Sequence, residues 1–308
     1  MQVQYNDLSP AVRAEYPWPG RYLNLTTDEG HQLRMHYLDE GKGEPLLMVH
    51  GNPTWSFYWR KLVEGLGDNY RCIVPDHIGC GLSDKPRDWS YRLSDHIDNL
   101  SYLIEALDLH DVTLVVHDWG GAIGFGAALK HPDRIKRLVV FNTAVFTGPV
   151  PAEIRWCRLP IVGEIIIQGF NGFIRAGLFR AIADRSRMSG AVGQGYMAPY
   201  NSWANRYGHL AFIRDIPLED DHPTLKVINE LDRRVSELGH LPVLFIWGEQ
   251  DFVFTTDFLA RMVEKFPNPE VILLPDAAHF VVEDAHERIV PAMREFLGRH
   301  PLPPSTLA

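Results

Sequence analysis

Short apolar runs recur along the chain and alternate with longer stretches of helical periodicity. Residues 21–25 and 32–39 alternate apolar and polar side chains, with Asp28-Glu29-Gly30 between them. That pattern predicts an antiparallel hairpin at a sheet edge. Residues 45–49 and 113–116 are short apolar runs of the kind that become buried strands, and residues 71–75, 135–141, 241–248 and 271–274 also read as strands. Residues 58–66, 93–107, 122–130, 258–265 and 289–297 carry apolar side chains at helical spacing. Strands alternating with helices in this way predict an α/β fold, with a mostly parallel eight-stranded sheet covered by helices on both faces.

Between residues 143 and 218 the alternation stops. Ile161 to Ile167 and Phe173 to Phe179 read as apolar or amphipathic helices, followed by a stretch holding Tyr196, Tyr200, Trp203 and Tyr207. The plain account is a helical subdomain packed on itself and on the core. The functional account is a cap whose underside lines a pocket, with Phe170, Phe173, Tyr200 and Trp203 as candidate lining. The expected organisation is a first core part (1–142), a helical cap (143–218), a second core part (219–300) and a tail (301–308), the Pro-rich tail being expected to be disordered.

The run ending in Val115-Val116-His117-Asp118-Trp119-Gly120-Gly121 organises the rest. A buried strand meets a helix of small residues, and one carboxylate stands between them. This is the shape of a nucleophile elbow, a tight turn that lifts one side chain above the sheet. The usual elbow carries serine with glycine two residues earlier; here the positions hold Asp118 and Val116. An aspartate is already ionised near neutral pH and needs no base to attack. Its product is an ester with the enzyme's own carboxylate.

Composition narrows the field. The 308 residues suit one large domain or a core with an inserted cap, and 45% hydrophobic with 22% charged residues is ordinary for a globular enzyme. A net charge of −9 argues against nucleic acid and against an anionic membrane surface. Cys72, Cys80 and Cys157 offer neither a disulfide framework nor metal-ligand spacing. Residues 1–20 show no signal-peptide pattern, and no stretch approaches the roughly 18 apolar residues of a membrane span. The expectation is a soluble, cytoplasmic protein with no metal or organic cofactor.

Chemistry in an open parallel sheet collects at the carboxyl ends of its strands. Polar candidates stand at four such ends: His50 to Asn52, Asp118, Asp251 and His279. Nucleophile, acid and base occur in the chain order of the α/β-hydrolase fold. His279 is the expected base. Asp251 is the expected acid that orients its imidazole, with Glu249 and Asp276 as rivals. Asp39, Asp84 and Asp284 read as surface or capping groups.

His50-Gly51-Asn52-Pro53, Asp76-His77-Ile78-Gly79 with Gly81-Leu82-Ser83, and His117-Asp118-Trp119-Gly120-Gly121 resemble the haloalkane dehalogenase family of α/β-hydrolases. The resemblance covers nearly the whole chain. It implies that Asn52 and Trp119 hold the leaving anion with side-chain N–H groups, while their backbone amides form an oxyanion hole. One large subfamily carries its acid, a glutamate, after the sixth strand, where this chain has Asn142. The acid therefore falls to Asp251, as in the third dehalogenase subfamily. Asn142-Thr143-Ala144-Val145-Phe146, Phe170-Asn171-Gly172-Phe173, Ala198-Pro199-Tyr200 with Trp203 and Arg206, and Asp215-Ile216-Pro217-Leu218 resemble the β-lactone decarboxylases of bacterial long-chain olefin biosynthesis. That likeness implies conversion of a cis-3,4-dialkyl β-lactone to a cis-alkene and carbon dioxide, and a complex with other enzymes of that pathway.

The readings are thus β-lactone decarboxylation first and hydrolytic dehalogenation second, each on a small hydrophobic substrate. Epoxide hydrolysis shares the Asp nucleophile but needs cap tyrosines to protonate the epoxide oxygen, for which Tyr196, Tyr200 and Tyr207 are candidates. A catalytically silent scaffold used for binding fits poorly with an intact nucleophile, acid and base.

Overall fold

In the computed structural model of the protein, residues 2–26, 30, 32–188 and 190–302 are described. The eight strands are β1 (Arg21–Thr26), β2 (Gln32–Glu40), β3 (Glu44–Val49), β4 (Tyr70–Pro75), β5 (Val112–Val116), β6 (Ile135–Val140), β7 (Val243–Gly248) and β8 (Glu270–Leu274). They form one sheet in the order β1-β2-β4-β3-β5-β6-β7-β8. The hairpin of β1 and β2 lies antiparallel at one edge, with Leu23 opposite Met35; every pairing beyond β4 is parallel. The expected hairpin turn at Asp28 and Glu29 and most of the tail from 301 lie outside the described residues.

The continuous apolar runs are explained by the two faces they serve. Leu47, Val49, Leu114, Val116, Val140 and Phe245 join one buried cluster, which includes Ile97 and Leu100 of the helix Leu93–Ala106 and Phe125 of Trp119–Lys130. Leu46, Met48, Val115, Val139, Leu244 and Ile246 join the other, with Leu62 and Leu66 of Arg60–Leu66 and Met293 and Phe296 of Val281–Arg299. A strand covered on both faces has no polar side to alternate with.

Between β6 and β7 the described residues contain helices and no strand. The segment read as a helix from Ile161 is a π-helix, Glu164–Gly169, preceded by a helix the pattern did not show, Ala152–Arg158. A further unexpected helix, Pro223–Arg234, starts at His222, whose ring nitrogen accepts the Thr224 N–H, and buries Ile228 and Leu231. Tyr196, Arg60 and Glu283 bind this helical region to the core: the Tyr196 hydroxyl donates to Glu283 at 2.6 Å, and Arg60 pairs with the same buried carboxylate through two nitrogens. Removing one partner would leave a buried charge uncompensated.

The junction of β5 with the helix Trp119–Lys130 is the tightest packing in the fold. A Cβ on Gly120 would lie 2.1 Å from the Val49 carbonyl oxygen and 2.7 Å from that of His50. Both obstacles are backbone, so neither can rotate away. Gly120→Ala is therefore expected to destabilise the protein by about 2–3 kcal/mol or more, read as a lower urea midpoint; an unchanged midpoint would mean that β3 and this helix can separate.

Candidate active site

Asp118 stands between β5 and the helix with φ 53° and ψ −131°, a conformation that costs a non-glycine residue about 1–3 kcal/mol. Its neighbours hold it there. The Asp118 N–H donates to the Asn142 carbonyl at 2.9 Å, and the Asp118 carbonyl accepts the Gly121 N–H and the Thr143 hydroxyl. The carboxylate is fixed as firmly. Oδ1 accepts the Asn52 N–H at 2.7 Å, and the backbone N–H of Trp119 also bonds to the carboxylate. Gly51 allows this approach, since a Cβ there would lie 2.0 Å from Oδ1.

That leaves Oδ2, which lies 3.8 Å from Nε2 of His279. Nδ1 of His279 donates to Oδ2 of Asp251 at 2.8 Å. The other Asp251 oxygen accepts the N–H groups of Val253 and Phe254 at 2.7 and 3.1 Å. The Phe254 ring stacks on the imidazole at 5.9 Å between centroids. The structure thus gathers Asp118, His279 and Asp251 in one line, and Glu249 and Asp276 do not touch the imidazole. Asn142, in the position of the other subfamily's acid, spends its side chain elsewhere: Nδ2 donates to the Gly248 carbonyl and Oδ1 accepts the Gly248 N–H.

Burial pushes the Asp118 carboxyl up from its ordinary value, against the opposing pull of His279 and the two backbone amides. Burial alone would lower the His279 imidazole; the adjacent charge and hydrogen bond of Asp251, with Asp118, outweigh it and raise it. Raised histidine and buried carboxylate stand together, perturbed groups of the kind that cluster at functional sites.

Above these groups lies a cavity of about 340 Å³. Asp118, His279, Asn52 and Trp119 line its floor, and its walls are almost wholly apolar, among them Phe146, Ile213, Phe252 and Phe280. The Asn52 amide makes one long contact, 3.4 Å from Nδ2 to the His209 carbonyl. Exchanging its oxygen and nitrogen would set oxygen against oxygen, so the N–H groups are the correct assignment. The indole of Trp119 hydrogen-bonds to nothing among the described residues.

The four cap candidates divide. Phe173 lines the cavity. Phe170 and Trp203 are 71% and 45% exposed and face outward, because the π-helix and the 3-10 turn beside it present them to solvent. Tyr200 is fully buried but away from the cavity, its hydroxyl accepting the Gly81 N–H at 2.9 Å. Tyr196 is committed to Glu283 and Tyr207 packs on Tyr91. None of the three tyrosines lines the cavity, which removes the acids an epoxide hydrolase needs.

Three supporting residues were not singled out from the sequence. His117 donates from Nε2 to the His279 carbonyl at 2.8 Å, Thr143 binds the Asp118 carbonyl, and Phe254 backs the imidazole. The first lies inside the elbow motif and the last follows Asp251 by three residues, so proximity was the available signal. Asp284, expected at the surface or in a cap, is buried and accepts the N–H groups of Ala183, Asp184 and Ala278, tying the helical region to the His279 loop. No group of residues suited to hold a metal occurs among the described residues.

An eight-stranded α/β sheet with an elbow carboxylate, a histidine and a second carboxylate at its strand ends is the architecture of an α/β-hydrolase. Comparison agrees: a family model described as alpha/beta hydrolase fold matches residues 44–160. The chain is 43% identical over 271 residues to a cis-3-alkyl-4-alkyloxetan-2-one decarboxylase of Shewanella oneidensis, covering 86% of this chain and 85% of that one. It is 43% identical to the protein of that name from Xanthomonas campestris, covering 88% and 94%. Among solved structures it resembles a haloalkane dehalogenase from Agrobacterium tumefaciens, with a TM-score of 0.80, 26% identity and 92% and 97% coverage. The chain belongs to the α/β-hydrolase family that holds these decarboxylases and dehalogenases.

Because burial raises the Asp118 carboxyl, its ionised form favours the unfolded chain once pH exceeds the ordinary carboxylate range. Asp118→Asn removes that buried charge and substitutes a residue that tolerates positive φ. The expected result is a protein with no measurable turnover and a melting temperature at pH 7 equal to or above that of the wild type. A marked loss of stability would contradict the strained, charge-burying elbow.

Proposed function

We propose that the protein is a β-lactone decarboxylase, converting a cis-3-alkyl-4-alkyloxetan-2-one to a cis-alkene and carbon dioxide, with Asp118 as nucleophile, His279 as its partner, Asp251 as the acid and residues 143–218 as a cap. The reading is carried by 43% identity over most of both chains to two decarboxylases of that name. A carboxylate at the floor of an apolar cavity supports it.

The pinned Oδ1 leaves Oδ2 to attack. Oδ2 bonds to the ring carbon that bears oxygen, inverting it, and the ring carbon–oxygen bond breaks. The departing group is the lactone's own carboxylate, held by the N–H groups of Asn52 and Trp119 among apolar walls. The bond from the α-carbon to this carboxylate then breaks. Its electrons form the alkene, carbon dioxide leaves, and Asp118 departs as carboxylate from the neighbouring carbon. Inversion followed by anti elimination equals net syn elimination, so a cis-lactone yields a cis-alkene and water is not consumed. His279, 3.8 Å from Oδ2 and raised toward its charged form by Asp251 and Asp118, stabilises the returning carboxylate.

Dehalogenation is the second reading, favoured by the pairing of Asn52 and Trp119 and by the structural likeness to a dehalogenase. It requires neutral His279 to activate water against the alkyl ester. Since the imidazole is raised, hydrolytic turnover would fall as pH drops through a value above 6.5.

Offering a long-chain cis-β-lactone and a bromoalkane side by side separates the two. The expected outcome is a higher kcat/KM for the lactone, cis-alkene free of trans isomer, and little β-hydroxy acid. Asn52→Ala and Trp119→Phe are each expected to slow it about 10²-fold, as loss of one oxyanion donor does. Scrambled alkene geometry, or bromide and alcohol as the efficient products, would overturn the first reading.

A further inference from the structure

The outer surface of the helical region is unlike the rest of the protein. Trp156, Leu159, Ile161, Ile165, Phe170 and Trp203 are all 45–72% exposed. They are linked along the chain and in space: the Ile165 N–H donates to the Ile161 carbonyl, the Phe170 N–H to the Ile165 carbonyl, and Gln168 reaches the carbonyl of Trp203. Trp156 and Leu218 line both the catalytic cavity and an open groove on this surface, with Arg155, Arg158, Leu159 and Pro160. The apolar face is therefore continuous with the cavity lining at Trp156 and Leu218.

Charge follows the same division. Residues 143–218 hold eight arginines against four carboxylates, a net of +4 in a chain whose total is −9. The whole-chain sum, which argued against an anionic surface, hides this segregation. Arg155, Arg175, Arg185 and Arg206 make no ion pair with any described carboxylate. They flank the exposed aromatics. Arg155 lies beside Trp156 in the groove. Arg206 donates to the carbonyls of Gln168 and Gly169 next to Phe170, with Arg175 near enough to help lower it. Arg185 lies 3.6 Å over the Phe179 ring.

We propose that this face docks on a bilayer containing anionic phospholipid, seating its aromatics at the headgroup boundary and its arginines against phosphate. Exposed aromatic and aliphatic side chains bordered by unpaired arginines are the composition of a segment that lies in a membrane interface. Residues 143–218 carry +4 and the rest of the chain −13 (−9 less +4), so an anionic surface favours this face over the remainder. In that orientation the mouth beside Trp156 and Leu218 opens toward the lipid, so an alkyl chain exchanges between bilayer and cavity without crossing water. No helix among the described residues is long and apolar enough to cross a membrane; the contact is peripheral.

Flotation of the full-length protein with vesicles tests this. The wild type is expected to float with mixed phosphatidylcholine and phosphatidylglycerol, weakly with phosphatidylcholine alone, and less at high salt. Arg155→Glu with Arg175→Glu should lower the partition more than about twentyfold, each basic group near such a surface being worth about fivefold. Ile161→Ser with Phe170→Ser should lower it about tenfold or more. Turnover of a short, water-soluble substrate should stay unchanged in both, which also shows that they fold. A wild type that ignores phosphatidylglycerol, or variants that float as well as it does, would overturn the proposal. So would variants with unchanged partition but a smaller mass by light scattering, which would assign the face to a second copy of the chain. Vesicle binding does not depend on which reaction the site performs, so its failure would leave the proposed function standing.

Discussion

Everything in this protein rests on holding one aspartate in a backbone conformation it would not choose. Asp118 sits at positive φ because the chain must turn from β5 into a helix within two residues, His117 and Asp118, and that turn aims its side chain out of the sheet. The cost is met by neighbouring groups: the Asn142 carbonyl accepts the Asp118 amide, the Thr143 hydroxyl donates to its carbonyl, and the Asn52 amide donates to its carboxylate. Gly51, Gly120 and Gly121 let those groups approach closer than any side chain would permit. The elbow is thus specified by its surroundings more than by its own sequence.

Electrostatics follows from that position. A carboxylate placed among apolar walls is a stronger nucleophile than one in water, because the shell of solvent that would stabilise it is replaced by a few fixed donors. The Asn52 amide restrains Oδ1, and Oδ2 faces His279. Asp251 in turn is held by two N–H groups of its own loop, so the imidazole it orients cannot swing away. In the proposed chemistry the same floor would serve a lactone or a haloalkane, since each presents an electrophilic carbon and would release an anion beside Asn52 and Trp119. What separates them is whether the released anion can leave as carbon dioxide.

The core was legible because its physics writes itself into short windows. Strands covered on both faces appear as unbroken apolar runs, and the edge hairpin appears as alternation. Asp118, Asp251 and His279 were legible because the fold collects polar groups at strand ends and little else stands there. The helical region was not. A helix enclosed by other helices carries apolar residues on several faces, so Phe170 and Phe173, three residues apart, could not be told apart as outward and inward. Tyr200 looked like pocket lining because it is aromatic, yet its hydroxyl serves the Gly81 amide. Pro223–Arg234 escaped notice because its buried stripe rests on few apolar positions among many charges.

The central claim is that Asp118 takes the substrate through its ring carbon and holds it as an alkyl ester. Rapid quenching of the wild type with a long-chain cis-β-lactone, followed by peptide mass mapping, examines that bond directly. The account predicts a transient adduct of the full lactone mass on the peptide carrying Asp118, stable to neutral hydroxylamine as an alkyl ester is. Lactone consumed with that peptide unmodified throughout, or an adduct that hydroxylamine removes at once as it would an anhydride, would contradict it.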